Sequence, residues 1–341
     1  MTPQRVADAF AFQSKACADL GSAFMAQLCN LYATRDWPQT QVRDRIFAWD
    51  GDLSPRGESV PLRLAGALHA LRLQGVCLDD VYPPARVTDA VLWQSVSDAM
   101  AAHDDIISDW INSAPQTNEV RRSAVIIPVG RLLTARFGLP IRTSELGASG
   151  GLNLNWDRYG LNVGEQSFGP NDVLTLQPTW NGPLPAQSLP QVISRAGVDL
   201  NPLDPRNADD ALRLQAYLWP DQPDRLERTR AAIAIADGDV DKADAIDWLA
   251  QRLGHQPGVL HIIYHTVAWQ YFPKNVQARG TALIEAAGAQ ATDNAPLAWF
   301  AMENDGGLKG AALTLRLWPG DLTIDLGRAD FHGRWVNWKG A

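Results

Sequence analysis

The sequence predicts an α/β fold, a layered sheet-and-helix domain preceded by a helical cap and interrupted by a β-rich insertion. Three observations carry this. Through the first 140 residues apolar side chains recur at intervals of three and four and never alternate, which marks helices. From Ile141 onward short apolar runs alternate with helical stretches, as in a sheet flanked by helices. Near the end two strictly alternating runs flank a turn, the pattern of an antiparallel hairpin with one wet face. The boundaries read as residues 1–120 for the cap and 121–341 for the α/β domain, with the insertion at about 156–190.

The elements follow in order. Cys17, Leu20, Phe24, Leu28 and Leu31 share one face of an amphipathic helix. Leu64, Leu68 and Leu71 repeat the spacing after a loop rich in Gly, Pro and Asp. A third helical stretch spans Thr88 to Asn112. A fourth opens at Thr117-Asn118, both N-cap types, and runs to Phe137, where Gly138 and Pro140 stop it. Strands are expected at Ile141–Leu146, within Val192–Asp199, at Ala231–Ala236, at Val259–Tyr264 and at Leu297–Met302. A helix is expected at about Asn275–Ala287. The Val259–Tyr264 run is apolar except for His261, as in a central strand buried on both faces. Leu313, Leu315 and Leu317 pair with Leu322, Ile324 and Leu326 across Pro319-Gly320-Asp321. The segment between Trp156 and Pro190 is punctuated by glycine and proline and is too long for a simple strand–helix connection.

Composition narrows the function. The chain has 341 residues, 46% hydrophobic and 20% charged, with a net charge of −8. No apolar run approaches the roughly 18 residues of a membrane span. Positive charge is mostly arginine, and Lys15, Lys242, Lys274, Lys309 and Lys339 are scattered, so neither nucleic acid nor an anionic membrane is indicated. A small molecule is the expected partner. Cys17, Cys29 and Cys77 show no C-x-x-C or zinc-ligand spacing, so no metal is expected. Free thiols and an N-terminus without an apolar signal core read as cytoplasmic.

The sharpest motif is Ser144-Glu145-Leu146-Gly147-Ala148-Ser149-Gly150-Gly151-Leu152-Asn153-Leu154, a strand ending in an acid, a glycine-rich turn and an apolar stretch that begins a helix. Glycines there let a ligand approach the main chain closely. The spacing resembles the first motif of class I S-adenosylmethionine-dependent methyltransferases, with Glu145 as the acid, Gly147 as the first glycine and Gly151 as the last. Ser149 stands where the middle glycine usually is. The resemblance implies a Rossmann-like sheet of order 3-2-1-4-5-7-6 and S-adenosylmethionine as cofactor. It also gives Asp199 the role of the acid that meets ribose hydroxyls after the second strand, and Asp239 that of the acid near the adenine. Asp199 lies farther from the glycine turn than the usual gap of about 20 residues, so the insertion has to be looped out. One departure is the segment from Met302 to Ala312, short for the helix that joins the fifth and sixth strands in that class.

Further stretches resemble the bacterial family known as domain of unknown function 2332. They include Gln116-Thr117-Asn118-Glu119-Val120, Glu145-Leu146-Gly147-Ala148-Ser149, Trp156-Asp157-Arg158-Tyr159, Asp199-Leu200-Asn201-Pro202-Leu203-Asp204, Trp219-Pro220-Asp221-Gln222 and His265-Thr266. They spread over most of the chain and leave the activity open.

His265 and Tyr264, ending the fourth strand, are the candidate catalytic residues, His265 as the acceptor of a proton from a nucleophilic substrate. Gln116, Asn118 and Glu119 open the helix before the first strand and are candidates for binding substrate, as are Trp156, Arg158 and Trp269. Glu119 and His265 are expected to share one cleft with Glu145 and Gly147, because ligands bind outside the carboxyl ends of strands where their order reverses. Some have a structural rival: capping for Thr117 or Asn118, which does not explain Glu119, anchoring of the insertion for Trp156-Asp157-Arg158-Tyr159, and a satisfied core histidine for His265. Two other functions stay open. Gly147-Ala148-Ser149-Gly150-Gly151 also satisfies G-x-S-x-G, so a serine hydrolase would use Ser149 with Asp305 and His332, although the preceding helical region supplies none of the upstream strands that elbow requires. A non-catalytic nucleotide- or metabolite-binding module is the other.

Overall fold

The computed structural model describes residues 2–340, and the chain divides into two compact units. One comprises the chain up to Thr117 together with Ala208–Glu227, and the other Asn118–Asn207 with the chain from Arg228 onward.

The first unit is helical: α1 (Gln4–Asp19), α2 (Ala23–Thr34), α3 (Gln41–Phe47), α4 (Val60–Leu73), α5 (Asp89–Ala102) and α6 (Asp104–Trp110). The single helix expected over Cys17–Leu31 is two. Gly21 takes a left-handed conformation (φ +89°), and Ser22 caps α2 by accepting from Met25 N at 3.2 Å. Likewise α5 and α6 divide the Thr88–Asn112 stretch, with Thr88 as the N-cap of α5. After α7 (Ser123–Phe137) of the second unit, α8 (Ala208–Ala216) returns to the first. Gly66 of α4 permits this, because a Cβ there would lie 2.5 Å from the Tyr217 ring. Leu64, Leu68 and Leu71 are fully buried beside it, each stabilising the core by about 1.5–3 kcal/mol.

The second unit carries strands β1 (Ile141–Leu146), β2 (Gly160–Val163), β3 (Gln166–Phe168), β4 (Thr175–Leu176), β5 (Thr179–Asn181) and β6 (Val192–Asp199). After α9 (Pro223–Ala234), whose first residues lie in the helical unit, come β7 (Asp239–Lys242), α10 (Ala245–Ala250), β8 (Leu260–Thr266), α11 (Lys274–Gly288), β9 (Leu297–Glu303), β10 (Ala311–Trp318), β11 (Leu322–Ala329) and β12 (Trp335–Trp338). Among the described residues nine strands form one mixed, mostly parallel sheet of order β5-β12-β11-β10-β9-β8-β1-β6-β7. Successive side chains of a strand point to opposite faces. Ile262 and Tyr264 therefore join the core under α7, while Ile263 joins Trp248, Leu249 and Ile284 of α10 and α11.

Three expectations are corrected. Ala231–Ala236 is not a strand; its first residues end α9, because alanine favours helix and the run continues a helix opened by Pro223. The third parallel strand is instead the short, polar β7 at the sheet edge. The parallel strands do follow the order 3-2-1-4-5, but the antiparallel end does not follow 7-6. β10 pairs directly with β9 and β11 with β10, because residues 304–310 make a tight return with no room for a crossover helix. The insertion is β-rich as expected: β2–β4 form a small sheet, and β5 pairs with β12 at the edge of the large one.

Candidate functional site

β1 is flanked in parallel by β6 and β8, so the chain leaves it towards one side and later resumes on the other. Its carboxyl end is thus the place where strand order reverses, a place where open α/β sheets bind ligands. The turn that leaves it holds Gly147, Ser149 and Gly151 in left-handed conformation, at φ +72°, +55° and +68°. A Cβ on Gly147 would stand 2.5 Å from that of Ala268, and one on Gly151 2.8 Å from Val240 Cγ2. Both glycines are therefore required by packing as well as by φ.

The main-chain donors at Gly147, Ala148, Ser149 and Gly151 of this turn are consumed internally. Gly147 N and Ala148 N donate to Val198 O at 2.9 and 3.0 Å, and Gly151 N to Ala148 O at 2.8 Å. Ser149 N donates to Asp199 Oδ2 at 2.9 Å, and Leu152 N to Asn118 Oδ1 at 2.8 Å. The expected helix after the turn is a 3-10 segment, Leu152–Arg158, kinked at Asn155. The turn thus lacks the cradle of open N–H groups and the long helix that hold a pyrophosphate.

Glu145 closes β1 fully buried, with Tyr264 Oη 3.3 Å from its Oε2. Burial is the main cause that lifts its carboxyl to about 8, against the opposing pull of the Tyr264 hydrogen bond and the more distant Arg122 charge. At neutral pH it holds a proton. Tyr264 Oη also lies 3.1 Å from Asn153 O. A phenol has one proton to give, so both contacts are made together when Glu145 donates to Tyr264 and Tyr264 donates to Asn153. Asn153 ties the site to the segment before α7: its Nδ2 donates to Glu119 O at 3.2 Å, and its Oδ1 accepts from Ser123 Oγ at 2.7 Å. Glu119 itself is the N-cap of Val120–Arg122, accepting from Arg121 N. Capping therefore falls to Glu119, and Asn118 instead fastens the glycine turn, the reverse of the assignment from sequence.

His265 follows Tyr264 and so faces the other side of the sheet. Its Nδ1 lies 2.7 Å from Glu303 Oε1, and its Nε2 accepts from Trp299 Nε1 at 2.9 Å. An indole N–H only donates, which fixes the neutral Nδ1–H tautomer. The ring stacks on Trp269 at 5.0 Å, and Trp269 packs at 5.4 Å against Trp299. The expected convergence of the imidazole with Glu145 is thus not formed: the two lie on opposite faces, and both ring nitrogens are occupied. Glu303 also accepts from Ala268 N and Trp269 N at 2.9 and 3.0 Å. Burial works to raise its pKa, but these bonds and His265 outweigh it and hold the carboxylate below its ordinary value.

The remaining candidates divide. Asp199 already accepts from Ser149 N and, at 3.0 Å, from Asn201 N, so it clasps the glycine turn to its own loop. Asp239 is exposed at the start of β7 and pairs with Arg206 at 3.4 Å. Trp156 lies against Gly130 of α7, where a Cβ would approach the indole to 2.2 Å, so packing accounts for it. Arg158 pairs with Asp237 at 2.7 Å. Gln116 belongs to the helical unit. The hydrolase triad is not assembled: Ser149 Oγ is buried without a hydrogen bond, Asp305 is clasped by Arg328 at 2.8 Å, and His332 lies beside Asp330. Among the described residues no group of His, Cys, Asp and Glu is arranged to hold a metal, and no helix is long and apolar enough to cross a membrane.

Sequence reasoning missed Asn153, Glu303 and Arg195, which grips Asp157 through two contacts of 3.0 and 3.1 Å. An acid at the end of the fifth strand was the available signal for Glu303.

A family model described as "Uncharacterized protein conserved in bacteria (DUF2332)" matches residues 7–338. No curated protein and no solved structure matches the chain.

Proposed function

We propose, for a chain that belongs to the DUF2332 family of bacterial proteins, that the α/β unit binds S-adenosylmethionine at the Glu145–Gly151 turn and serves methyl transfer to a small molecule. The observation that carries this reading is the turn itself. It stands at the reversal of strand order, yet its N–H groups at Gly147, Ala148, Ser149 and Gly151 are spent on the protein. That disfavours phosphate-bearing dinucleotides and suits a nucleoside ligand that needs no anion cradle. The buried Glu145 carboxyl fits the same ligand class, because it has no ion-pair partner among the described residues and would gain one from a cationic amine or sulfonium. Ser149 Oγ, buried and unbonded, is a second polar atom that a ligand could satisfy.

When bound, such a cofactor supplies an electrophilic methyl group. The chain's own part is positioning and exclusion of water. Gly147 and Gly151 keep the main chain bare, Asp199 fixes the turn through Ser149 N, and Glu145 releases its proton on meeting a cation while Tyr264 stays protonated. Burial and the Glu145 carboxylate both raise the Tyr264 phenol far above its ordinary value, so it remains a donor.

The occupation of both His265 nitrogens favours a second reading, a binding module without catalysis. Incubation with S-adenosylmethionine and pooled small-molecule acceptors, followed by mass spectrometry for S-adenosylhomocysteine and a methylated product, separates the two. Product supports the transferase. Cofactor binding with no product from any acceptor class supports the module.

A further inference from the structure

We propose that the helical unit holds a second ligand site, a cavity that takes a small organic anion with an apolar body. The cavity encloses about 810 Å³, within the roughly 300–1,000 Å³ of pockets that bind drug-sized molecules. Its walls come from α2, α4, the Val81–Val87 loop and the Pro220–Leu226 segment, all within that unit. The apolar part is formed by Phe24, Val81, Pro83, Val87, Pro220 and Leu226.

The polar part is lopsided in charge. Asp221 lines the cavity, but its carboxylate is committed: Oδ1 accepts from Ser22 Oγ at 2.6 Å and Oδ2 from Phe24 N at 3.0 Å. Gln27 likewise donates to Asp89 at 2.7 Å. Arg72 and Arg86 face the same space. Arg72 forms an ion pair with Asp79, its buried Nε 3.4 Å from Oδ1 but without a hydrogen bond. Arg86 has no hydrogen bond or ion pair among the described residues. Beside them the hydroxyl of the fully buried Tyr82 also lacks a partner, and Arg72 is near enough for its charge to act on that phenol. The Tyr82 ring packs against Phe24 at 4.6 Å. Two guanidiniums with bonding capacity left over, above an aromatic and proline-lined wall, match a carboxylate or sulfonate carried on an apolar frame. The assignment stands apart from the cofactor reading, since every residue in it lies in the helical unit.

The test titrates the full chain with 1-anilinonaphthalene-8-sulfonate and with N-phenyl-1-naphthylamine, the same frame without the sulfonate. One saturable site is expected for the sulfonate, with the neutral compound weaker by about tenfold, the loss of a charge-assisted contact. Arg72→Met and Arg86→Met should each weaken the sulfonate by a similar factor, and Ala85→Trp should fill the cavity and abolish binding. Arg86 is exposed, so Arg86→Met keeps the wild-type melting temperature and decides the matter if another variant fails to fold. Equal affinity for the two compounds, or affinities within twofold of wild type in both arginine variants, would overturn the proposal. So would displacement of the probe by S-adenosylhomocysteine, which would place it at the glycine turn instead.

Discussion

Tyr264 Oη lies 3.3 Å from Glu145 Oε2, and the two residues are cross-strand partners in β8 and β1. Both are fully buried. Strand register brings the pair together, burial keeps the acid neutral, and a neutral acid at the reversal of strand order is available to answer a cation. A perturbed carboxyl of this kind is a functional-site signature.

The pair predicts a pH dependence of stability. An unfolded glutamate loses its proton near 4.5, whereas folded Glu145 keeps it to about 8. The folded state binds the extra proton between those values, so this contribution is complete below 4.5 and is lost as pH rises through 8. Melting temperatures of wild type should fall relative to Glu145→Gln as pH increases from 5 to 8.5. Parallel curves for the two proteins would show that Glu145 titrates normally.

The glycine turn predicts a contrast between neighbours. Gly147→Ala and Gly151→Ala force a Cβ into a left-handed residue and into contact with Ala268 or Val240; each should cost about 1–3 kcal/mol by chemical denaturation. Ser149→Gly relieves a left-handed serine and removes its unbonded hydroxyl, and should melt no lower than wild type. Covalent labelling of Ser149 by a fluorophosphonate would revive the hydrolase.

Much of this was legible in the sequence, and the failures have physical causes. Ile141–Leu146 is a strand over the span expected, and the candidate within Val192–Asp199 fills that whole span, each being a short segment that runs into turn residues. Ala231–Ala236 was misread because alternating alanine and isoleucine suits a helix end as well as a strand. The face that His265 takes could not be read without the strand's exact register, since a shift of one residue exchanges the faces. Asn153 was hidden because its importance lies in polar contacts with residues distant in sequence, Glu119, Ser123 and Tyr264.

His265 and Glu303 predict a structural pair. Long-range proton–nitrogen NMR should show His265 as the Nδ1–H tautomer, and the Nε2–H form would contradict the Trp299 hydrogen bond. Glu303→Ala removes the acceptor for His265, Ala268 N and Trp269 N at once and should cost about 3 kcal/mol. Because the Glu303 pKa is lowered, its contribution is present above the ordinary carboxylate value and disappears as pH falls below it.

Asp199 predicts a local effect. Asp199→Ala frees Ser149 N and Asn201 N, so hydrogen exchange at these two amides should quicken more than at Gly147, whose partner is the Val198 carbonyl. Equal acceleration throughout the turn would mean that Asp199 supports the fold as a whole.

Calorimetric titration of the full chain with S-adenosylmethionine, S-adenosylhomocysteine and NAD decides which ligand the glycine turn takes. The account predicts one site for the first two, in the micromolar range typical of metabolite-binding enzymes. Because Glu145 surrenders its proton to meet the cationic amine, binding should release protons at pH 7 and weaken in Glu145→Gln. NAD should give no heat. Binding of NAD in their place, or no heat from either adenosyl ligand at millimolar concentration, would contradict it.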